Sequence, residues 1–352
     1  MLRIAVSVIN HAFANGLKKR HINQILQAFT DSYVKTVLGY VGNEKANLFE
    51  LQSKTTTGSL KDFLLEVESQ NSVKGQLEKF TQVDENGHRR FVKGTVDKPC
   101  NITKLTALTP EKESEIREQF TAAKYGATMM KLGWAIREWD DDFFQVLDVA
   151  ARVGSGVGSF GVDRYYVLLK GTDRLLRDHT PDGSSVILDV KYQPPGAVSW
   201  VLDSEDSAWY KTMFTNDAER VTQAQRSLTS YTDPFTGWIL LKDDVGNLQP
   251  FAIRQRSPWK DSPNLNKLKR ARDFQEFMEQ IAISTATSHV RGTVAKSPGD
   301  FKNVIEALLG KKKQRTAWGK AVTQFARKYR EQVLLDYKCF KHFVEKHVSS
   351  SV

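Results

Sequence analysis

Apolar residues recur at helical spacing towards both ends of the 352-residue chain and in strand-like runs in its middle. The first helical stripe runs from Leu2 to Phe13, and Gly16 predicts a left-handed cap at its end. A second stripe, from Ile22 to Val37, predicts another helix. The chain is predicted to be mostly helical again from Leu265 onwards.

The middle of the chain carries apolar and β-branched runs that turn residues separate. Strands are predicted over residues 143–153, 164–170, 186–191, 238–241 and 251–255. One helix, capped by Asn216, is predicted to interrupt them up to Ser230. These features indicate an α+β fold with a predominantly antiparallel sheet.

The more polar residues between the first helices and these strands predict smaller elements. The sequence Glu-Asn-Gly-His at 85–88 predicts a hairpin turn, and Pro110 opens a helix expected to run towards Gly126. We therefore predict three regions: a helical one with a small hairpin over 1–140, a sheet lobe over 141–262 and a helical one over 263–348.

Composition and charge narrow the classes of protein and partner. Hydrophobic residues make up 40% of the chain and charged residues 26%, which is typical of a globular protein. The net charge of +10 favours anionic partners, but the basic residues are spread along the chain, so a nucleic-acid partner is not expected. Cys100 and Cys339 form no disulfide framework or zinc pattern, and no membrane span or signal peptide is predicted. A cytoplasmic location is expected.

Candidate chemistry centres on a glycine-rich segment at residues 154–161, which reads GSGVGSFG. Three of its glycines fit the spacing G-x-G-x-x-G, and Gly154 adds another. A dinucleotide-binding loop or a Walker loop would open into a helix, whereas a strand is predicted to follow here. Strand, glycine loop and strand is the protein-kinase arrangement, in which the loop covers nucleotide phosphates.

A kinase-like site also needs a lysine on a nearby strand to hold the phosphates. Lys191, at the end of the strand predicted over 186–191, supplies one. The alternative is a glycine-rich hairpin with a solvated lysine beyond it. The helical partner of Lys191 stays open between Glu219, Gln223 and Gln225, and the seven histidines show no metal-ligand spacing.

Several ordered motifs carry a resemblance to a known family. Residues 148–159 contain DVA followed by VGSGVGS, and residues 189–191 read DVK. Residues 220–238 contain RV, QR and then D-x-F-x-GW, and FAIRQ at 251–255 is followed by Lys260. The last motifs are the Ala, His and Arg within 286–291 and the Tyr, Gln and Asp within 329–336. In this order they resemble the bacterial family called domain of unknown function 2252, which is grouped with kinase-like folds.

The resemblance implies a kinase-like fold of a sheet lobe and a helical lobe, circularly permuted relative to ordinary kinases. It implies ATP and magnesium as cofactors. The nucleotide-binding residues that it implies are Gly154, Gly156, Gly158, Ser159, Lys191, Arg254 and Gln255. The residues that it implies as supporting the site are Gln225, His289, Arg291 and Asp336. The alternatives are sheet-face polar residues for Arg254 and Gln255 and a helical histidine bonded to backbone or carboxylate for His289.

The family's catalytic segments resemble C-G-D-x-H-x-x-N and D-x-x-D-F-D and precede the glycine loop, and this sequence contains neither. The apolar helical spacing of the first helix is also present from the start of the sequence, and no capping residue precedes it. An N-terminally incomplete family member is therefore expected. The expected function is an ATP-binding phosphotransferase scaffold that is not catalytically competent as this chain, with an unidentified phosphate acceptor. The alternatives are a non-catalytic binding module or pseudokinase fragment, and a basic nucleic-acid-binding protein.

Overall fold

The computed structural model describes residues 1–95, 97–132, 141–154, 159, 161–170, 185–296 and 298–347. Its helices are α1 Leu2–Ala14, α2 Lys19–Gly39, α3 Lys45–Leu48, α4 Gly58–Gln70, α5 Val73–Phe80, α6 Pro110–Arg117, α7 Ala127–Lys131, α8 Ser204–Met213, α9 Asp217–Leu228, α10 Ala271–Lys296, α11 Pro298–Leu309 and α12 Lys312–His347. Its strands are β1 Thr81–Val83, β2 Arg89–Phe91, β3 Leu105–Thr106, β4 Val146–Arg152, β5 Arg164–Leu169, β6 Val186–Tyr192, β7 Gly237–Lys242 and β8 Leu248–Gln255. The α+β prediction is confirmed.

The chain divides into two compact units. The first combines Met1–Val67, Ser227–Ser230 and Asp261–Val352, and the second combines Glu68–Arg226 with Tyr231–Lys260. The division into 1–140, 141–262 and 263–348 that composition suggested stays a prediction. In the described part of the chain, no helix combines the length and the apolar character needed to cross a bilayer.

The core of the first unit lies where α1 meets α12 and α2 meets α10. Ile9, Phe29 and Phe274 are among its buried side chains. Their helical spacing aligns them on apolar stripes, and each stripe is removed from water only when another helix covers it. Gly16 has a φ of +78°, and its N–H donates to the carbonyl of Phe13 at 2.9 Å, so the predicted helix end is confirmed.

The second unit is built on a six-stranded sheet in the order β3-β4-β5-β6-β8-β7, with every neighbouring pair antiparallel. One face packs against an aromatic cluster that includes Tyr125 and Phe144, and the other packs against Leu77 and Phe80. Successive side chains of a strand point to opposite faces, so each strand serves both cores. On the second face, polar residues replace apolar ones towards one end of β6, which creates room for a site.

The hairpin turn predicted at 85–88 is present, and a second hairpin joins β7 to β8. The turn between β1 and β2 has Gly87 at a φ of +80°, and the Asp84 carboxylate accepts N–H bonds from residues 86 and 88. The turn between β7 and β8 repeats this arrangement, with Asp243 as the acceptor and Gly246 at a φ of +91°. An aspartate that accepts from the turn and a glycine at positive φ suit a tight reversal.

The helix predicted from Pro110 towards Gly126 is shorter than expected. α6 ends at Arg117, and a π-helical turn over Ala122–Gly126 follows. Thr121 causes the restart, because its hydroxyl accepts a bond from the N–H of Lys124 at 3.2 Å and caps the new turn. The predicted cap of α9 is confirmed, since the Asn216 side chain accepts from the N–H of Glu219 at 2.9 Å.

Candidate functional site

A pocket of about 200 Å³ lies above β6 and β8, at the polar end of the second sheet face. Its lining comes from β6 and the residue after it, from β8, and from α9: Asp189, Lys191, Gln193, Ala252, Ile253, Arg254, Val221 and Gln225. Three of these, namely Lys191, Arg254 and Gln225, are residues that the sequence singled out. The pocket therefore joins predicted residues from three separate elements.

Strand register explains why charged side chains meet here. Lys191 of β6 lies opposite Arg164 of β5 on one side and opposite Ala252 of β8 on the other. Asp189 lies two residues before Lys191 and opposite Arg254. Residues directly opposite each other, and residues two apart on one strand, share a sheet face. Arg164, Asp189, Lys191 and Arg254 therefore project to the same side.

Asp189 is the buried anchor of this cluster. Its two carboxylate oxygens accept bonds from Nε and Nη2 of Arg164, both at 2.6 Å, and the two side chains are only 3% and 11% exposed. This two-pronged contact between a guanidinium and a carboxylate fixes both groups in one orientation. Burial on its own would raise the pKa of Asp189, but the bonds from Arg164 and the charges of Arg164, Arg254 and Lys260 hold it below its ordinary value.

Arg254 is bound much more loosely to the same carboxylate. Its Nη2 lies 3.5 Å from Oδ2 of Asp189, and its side chain is 51% exposed. Because Arg164 already bonds to both oxygens, Arg254 contributes mainly charge to Asp189. Its guanidinium can therefore reach a ligand in the pocket without breaking the buried pair.

Two lysines complete the positive cluster. Burial is the main cause that lowers the pKa of Lys191, and the positive charges of Arg164 and Arg254 lower it further against the opposing effect of Asp189. The pKa of Lys260 is lowered as well, although the residue keeps solvent access: partial desolvation by surrounding protein atoms is the largest cause, and Arg164, Arg254 and Arg256 add positive charge against the opposing effect of Asp189. Four cations thus act on one another around a single carboxylate, and such an excess attracts an anion.

The glycine-rich segment ends next to this cluster. Its flanks are the antiparallel strands β4 and β5, so the predicted context of strand, loop and strand is present. Gly154 and Gly161 have φ angles of +61° and +71°, which favour glycine. The carbonyl of Asp163, two residues after Gly161, accepts the N–H of Tyr192 at 3.0 Å, beside Lys191. The carbonyl of Ser159 accepts the N–H of Val162 at 3.4 Å, whereas Gly156 and Gly158 lie outside the described residues.

The remaining nucleotide-binding residue, Gln255, lies on β8 directly after Arg254. It pairs with Leu188, whose side chain belongs to the aromatic core on the other sheet face. The pleat therefore directs Gln255 away from the pocket. Its backbone N–H donates to the carboxylate of Asp233, a group whose pKa burial raises.

Three supporting residues, His289, Arg291 and Asp336, belong to the first unit. Nδ1 of His289 forms a hydrogen bond of 2.8 Å with the Tyr33 hydroxyl, and burial lowers the pKa of this histidine. Nε of Arg291 donates to the carbonyl of Ala46 at 2.7 Å. Asp336 accepts a bond from the side-chain amide of Gln332, one turn earlier on α12. The contacts of His289 and Arg291 hold elements of the first unit together, whereas that of Asp336 lies within one helix.

The sequence reading missed two features of the site. Arg164 was not recognised as a site residue, although it lies directly opposite Lys191. Glu219, one of the candidate partners of Lys191, instead pairs with Lys131 at 2.6 Å and also accepts the N–H of Thr215 at 2.8 Å. A strand register is needed to see the first feature, and a tertiary contact to see the second.

The carboxylates on this sheet face are engaged by cations of the protein and do not fit magnesium. Asp189 is bonded to Arg164, and the other buried carboxylate of the face, Asp148, accepts from Lys93 at 2.8 Å and from the N–H of Phe91 at 2.7 Å. Magnesium is usually held by one or two carboxylates together with substrate phosphates. Within the described ranges, no group of three or more His, Cys, Asp or Glu side chains could hold a metal ion.

Comparison with models of known protein families gives a match over nearly the whole chain. The model of a family described as an uncharacterised protein conserved in bacteria, DUF2252, matches residues 1–343. The match includes the helices of the first unit as well as the sheet and its pocket. No curated protein and no solved structure matches the chain.

Proposed function

We propose that this chain, which belongs to the DUF2252 family of uncharacterised bacterial proteins, binds ATP in the pocket above β6 and β8. In this proposal the second unit is the nucleotide-binding lobe of a kinase-like scaffold whose element order is circularly permuted. The chain itself binds the nucleotide and does not transfer phosphate.

The observation that carries the proposal is the excess of positive charge at the pocket. Arg164, Lys191 and Arg254 share one sheet face with the carboxylate of Asp189, and the charge of Lys260 also acts on that carboxylate. Lys191 and Arg254 line a cavity of about 200 Å³. A cationic cluster in a partly buried concavity favours a multiply charged anion. The phosphates of ATP meet that requirement, and arginine and lysine are the side chains that commonly bind them.

Each side chain has a distinct part in this proposal. The ammonium of Lys191 and the guanidinium of Arg254 contact phosphate oxygens, and Gln225 contributes a polar contact from α9. Arg164 acts as a positioning residue, because it holds Asp189 in place beneath them. In this proposal Gly154 and Ser159 lie over the phosphates, as the family resemblance implies.

Binding without transfer is favoured by the state of the carboxylates. Phosphoryl transfer needs a group that orients the acceptor and carboxylates that hold magnesium. On the described sheet face, Asp148 and Asp189 are both ion-paired with cations of the protein. This supports the scaffold or pseudokinase alternative over an active phosphotransferase.

Isothermal titration of the full chain with ATP tests the proposal. We expect saturable binding that Lys191→Ala weakens by about 10-fold to 100-fold, because a hydrogen bond to a charged group contributes about 1.5–3 kcal/mol. Lys242→Ala is the matched control, since Lys242 is an exposed lysine at the far end of β7, and it should leave binding unchanged. Failure to bind ATP, or equal affinity in the Lys191→Ala variant, would show that the proposal is wrong.

A further inference from the structure

We infer that the pocket takes the polyphosphate chain of a free nucleotide, with no divalent cation bridging the phosphates. Cations of the protein supply the positive charge that a metal ion would otherwise bring to the phosphates. This inference rests on the nucleotide-binding function proposed above. It differs from that function in naming the form of the ligand, and it contradicts the magnesium requirement that the family resemblance implies.

The charge balance of the cluster is the first argument. Arg164, Lys191, Arg254 and Lys260 are positive and Asp189 is negative, which leaves an excess of three positive charges. Arg256, which stacks on the ring of Phe80 at 4.2 Å from its centroid, adds a further positive charge that acts on Lys260. A dication brought into this field is repelled, whereas a free polyphosphate is attracted.

The bonding of Asp189 is the second argument. Oδ1 accepts from Nε of Arg164, and Oδ2 accepts from Nη2 of Arg164 while Arg254 lies 3.5 Å away. A magnesium ion would have to displace the buried guanidinium of Arg164, which is only 11% exposed. Displacement would leave that charge without its partner in a partly desolvated place, a costly exchange.

The exposure of the other cations is the third argument. Arg254 is half exposed, Lys260 is exposed, and Lys191 is intermediate. These three groups can therefore reorient towards phosphate oxygens while the pair of Arg164 and Asp189 stays fixed. A fixed ion pair with three solvent-accessible cations near it suits a chain of several phosphates better than a single small anion.

Isothermal titration of the full chain under two conditions tests the inference. ATP is titrated once with EDTA and once with excess magnesium chloride, at matched ionic strength. We expect the Kd in EDTA to be equal to or lower than the Kd in magnesium. Inorganic tripolyphosphate in EDTA should bind within about tenfold of ATP, whereas adenosine should not bind, because the phosphates carry the recognition. Binding that is at least tenfold tighter with magnesium would overturn the inference.

Variants separate this inference from the function on which it rests. Arg254→Ala and Lys260→Ala should each weaken ATP binding in EDTA by about tenfold, with Lys242→Ala as the unchanged control and circular dichroism to verify folding. If ATP binds only in the presence of magnesium, the nucleotide-binding function stands and the metal-free inference is wrong. If ATP binds in neither buffer, the nucleotide-binding function itself is wrong and the inference falls with it.

Discussion

Replacement of Arg164 by alanine should destabilise the second unit strongly. The change removes both 2.6 Å bonds to Asp189 and leaves a carboxylate that is only 3% exposed. Removal of one partner of a buried ion pair costs about 3–5 kcal/mol. Arg254, whose Nη2 lies 3.5 Å from Oδ2 of Asp189, still compensates part of the carboxylate charge. We therefore expect the free energy of unfolding to fall by about 3 kcal/mol, at the low end of that range.

This loss is large enough to measure by calorimetry and by urea denaturation. For a unit of this size, about 3 kcal/mol corresponds to a decrease in Tm of about 6–12 °C. Lys74→Ala is the matched control, because Lys74 pairs with Glu78 at 3.8 Å with both side chains well exposed. That control should stay within about 0.5 kcal/mol of the wild type.

A double variant and a pH series make the reasoning refutable. Arg164→Met combined with Asp189→Leu should recover most of the lost stability, since an apolar pair needs no charge compensation. The pKa of Asp189 is lowered in the folded protein, so its stabilising contribution is present above its ordinary pKa of about 3.9 and is lost as the pH falls below it. The difference between wild type and Arg164→Ala should therefore shrink in acid. The reasoning is refuted if the free energy of unfolding of Arg164→Ala lies within about 1 kcal/mol of the wild-type value. It is also refuted if the double variant is no more stable than Arg164→Ala.

Three further predictions concern positions outside the pocket. Gly237→Ala should cost about 1–3 kcal/mol in urea denaturation, because the added Cβ would lie 2.8 Å from the buried Tyr125 ring. Burial, together with the N-terminal ammonium, lowers the pKa of His289 in the folded protein. The unfolded chain therefore binds a proton at His289 more readily, and the wild type should lose stability as the pH falls from about 7 to 5. His289→Gln should reduce that loss in melting curves recorded across this range. Ser72→Ala should lower the free energy of unfolding in urea by about 1 kcal/mol, because the Ser72 hydroxyl caps α5 with a bond of 3.0 Å.

The sequence predicted elements well where one pattern dominated. The strands β5 and β6 were predictable because each begins or ends in an apolar run, residues 165–169 in β5 and residues 186–188 in β6, and these runs are buried. α8 was missed, since it contains no buried residue and therefore has no apolar stripe to detect. The end of α6 was missed because the capping bond of Thr121 competes with helix continuation, and propensity does not decide that competition.

The candidate site was predictable in part. Lys191 follows from its place at the end of a strand, and Arg254 follows from a family motif, yet neither pattern reveals that they share a sheet face. Gln255 came from the same motif as Arg254, but the pleat turns adjacent residues to opposite faces. Arg164 lies 27 residues before Lys191 in the sequence, and only the pairing of β5 with β6 brings them together.

The composition of the first unit has a consequence for synthesis of the protein. The unit joins residues 1–67 to residues 261–352, and the stripe of α2 is covered by α10. The ribosome must therefore produce the whole second unit before α2 can meet its partner. At about 5–20 residues per second, that delay is about 10–40 s. During this interval α1 and α2, with Ile9 and Phe29 among their apolar side chains, lack the cover that α12 and α10 later provide, so this apolar surface is open to aggregation until synthesis is complete.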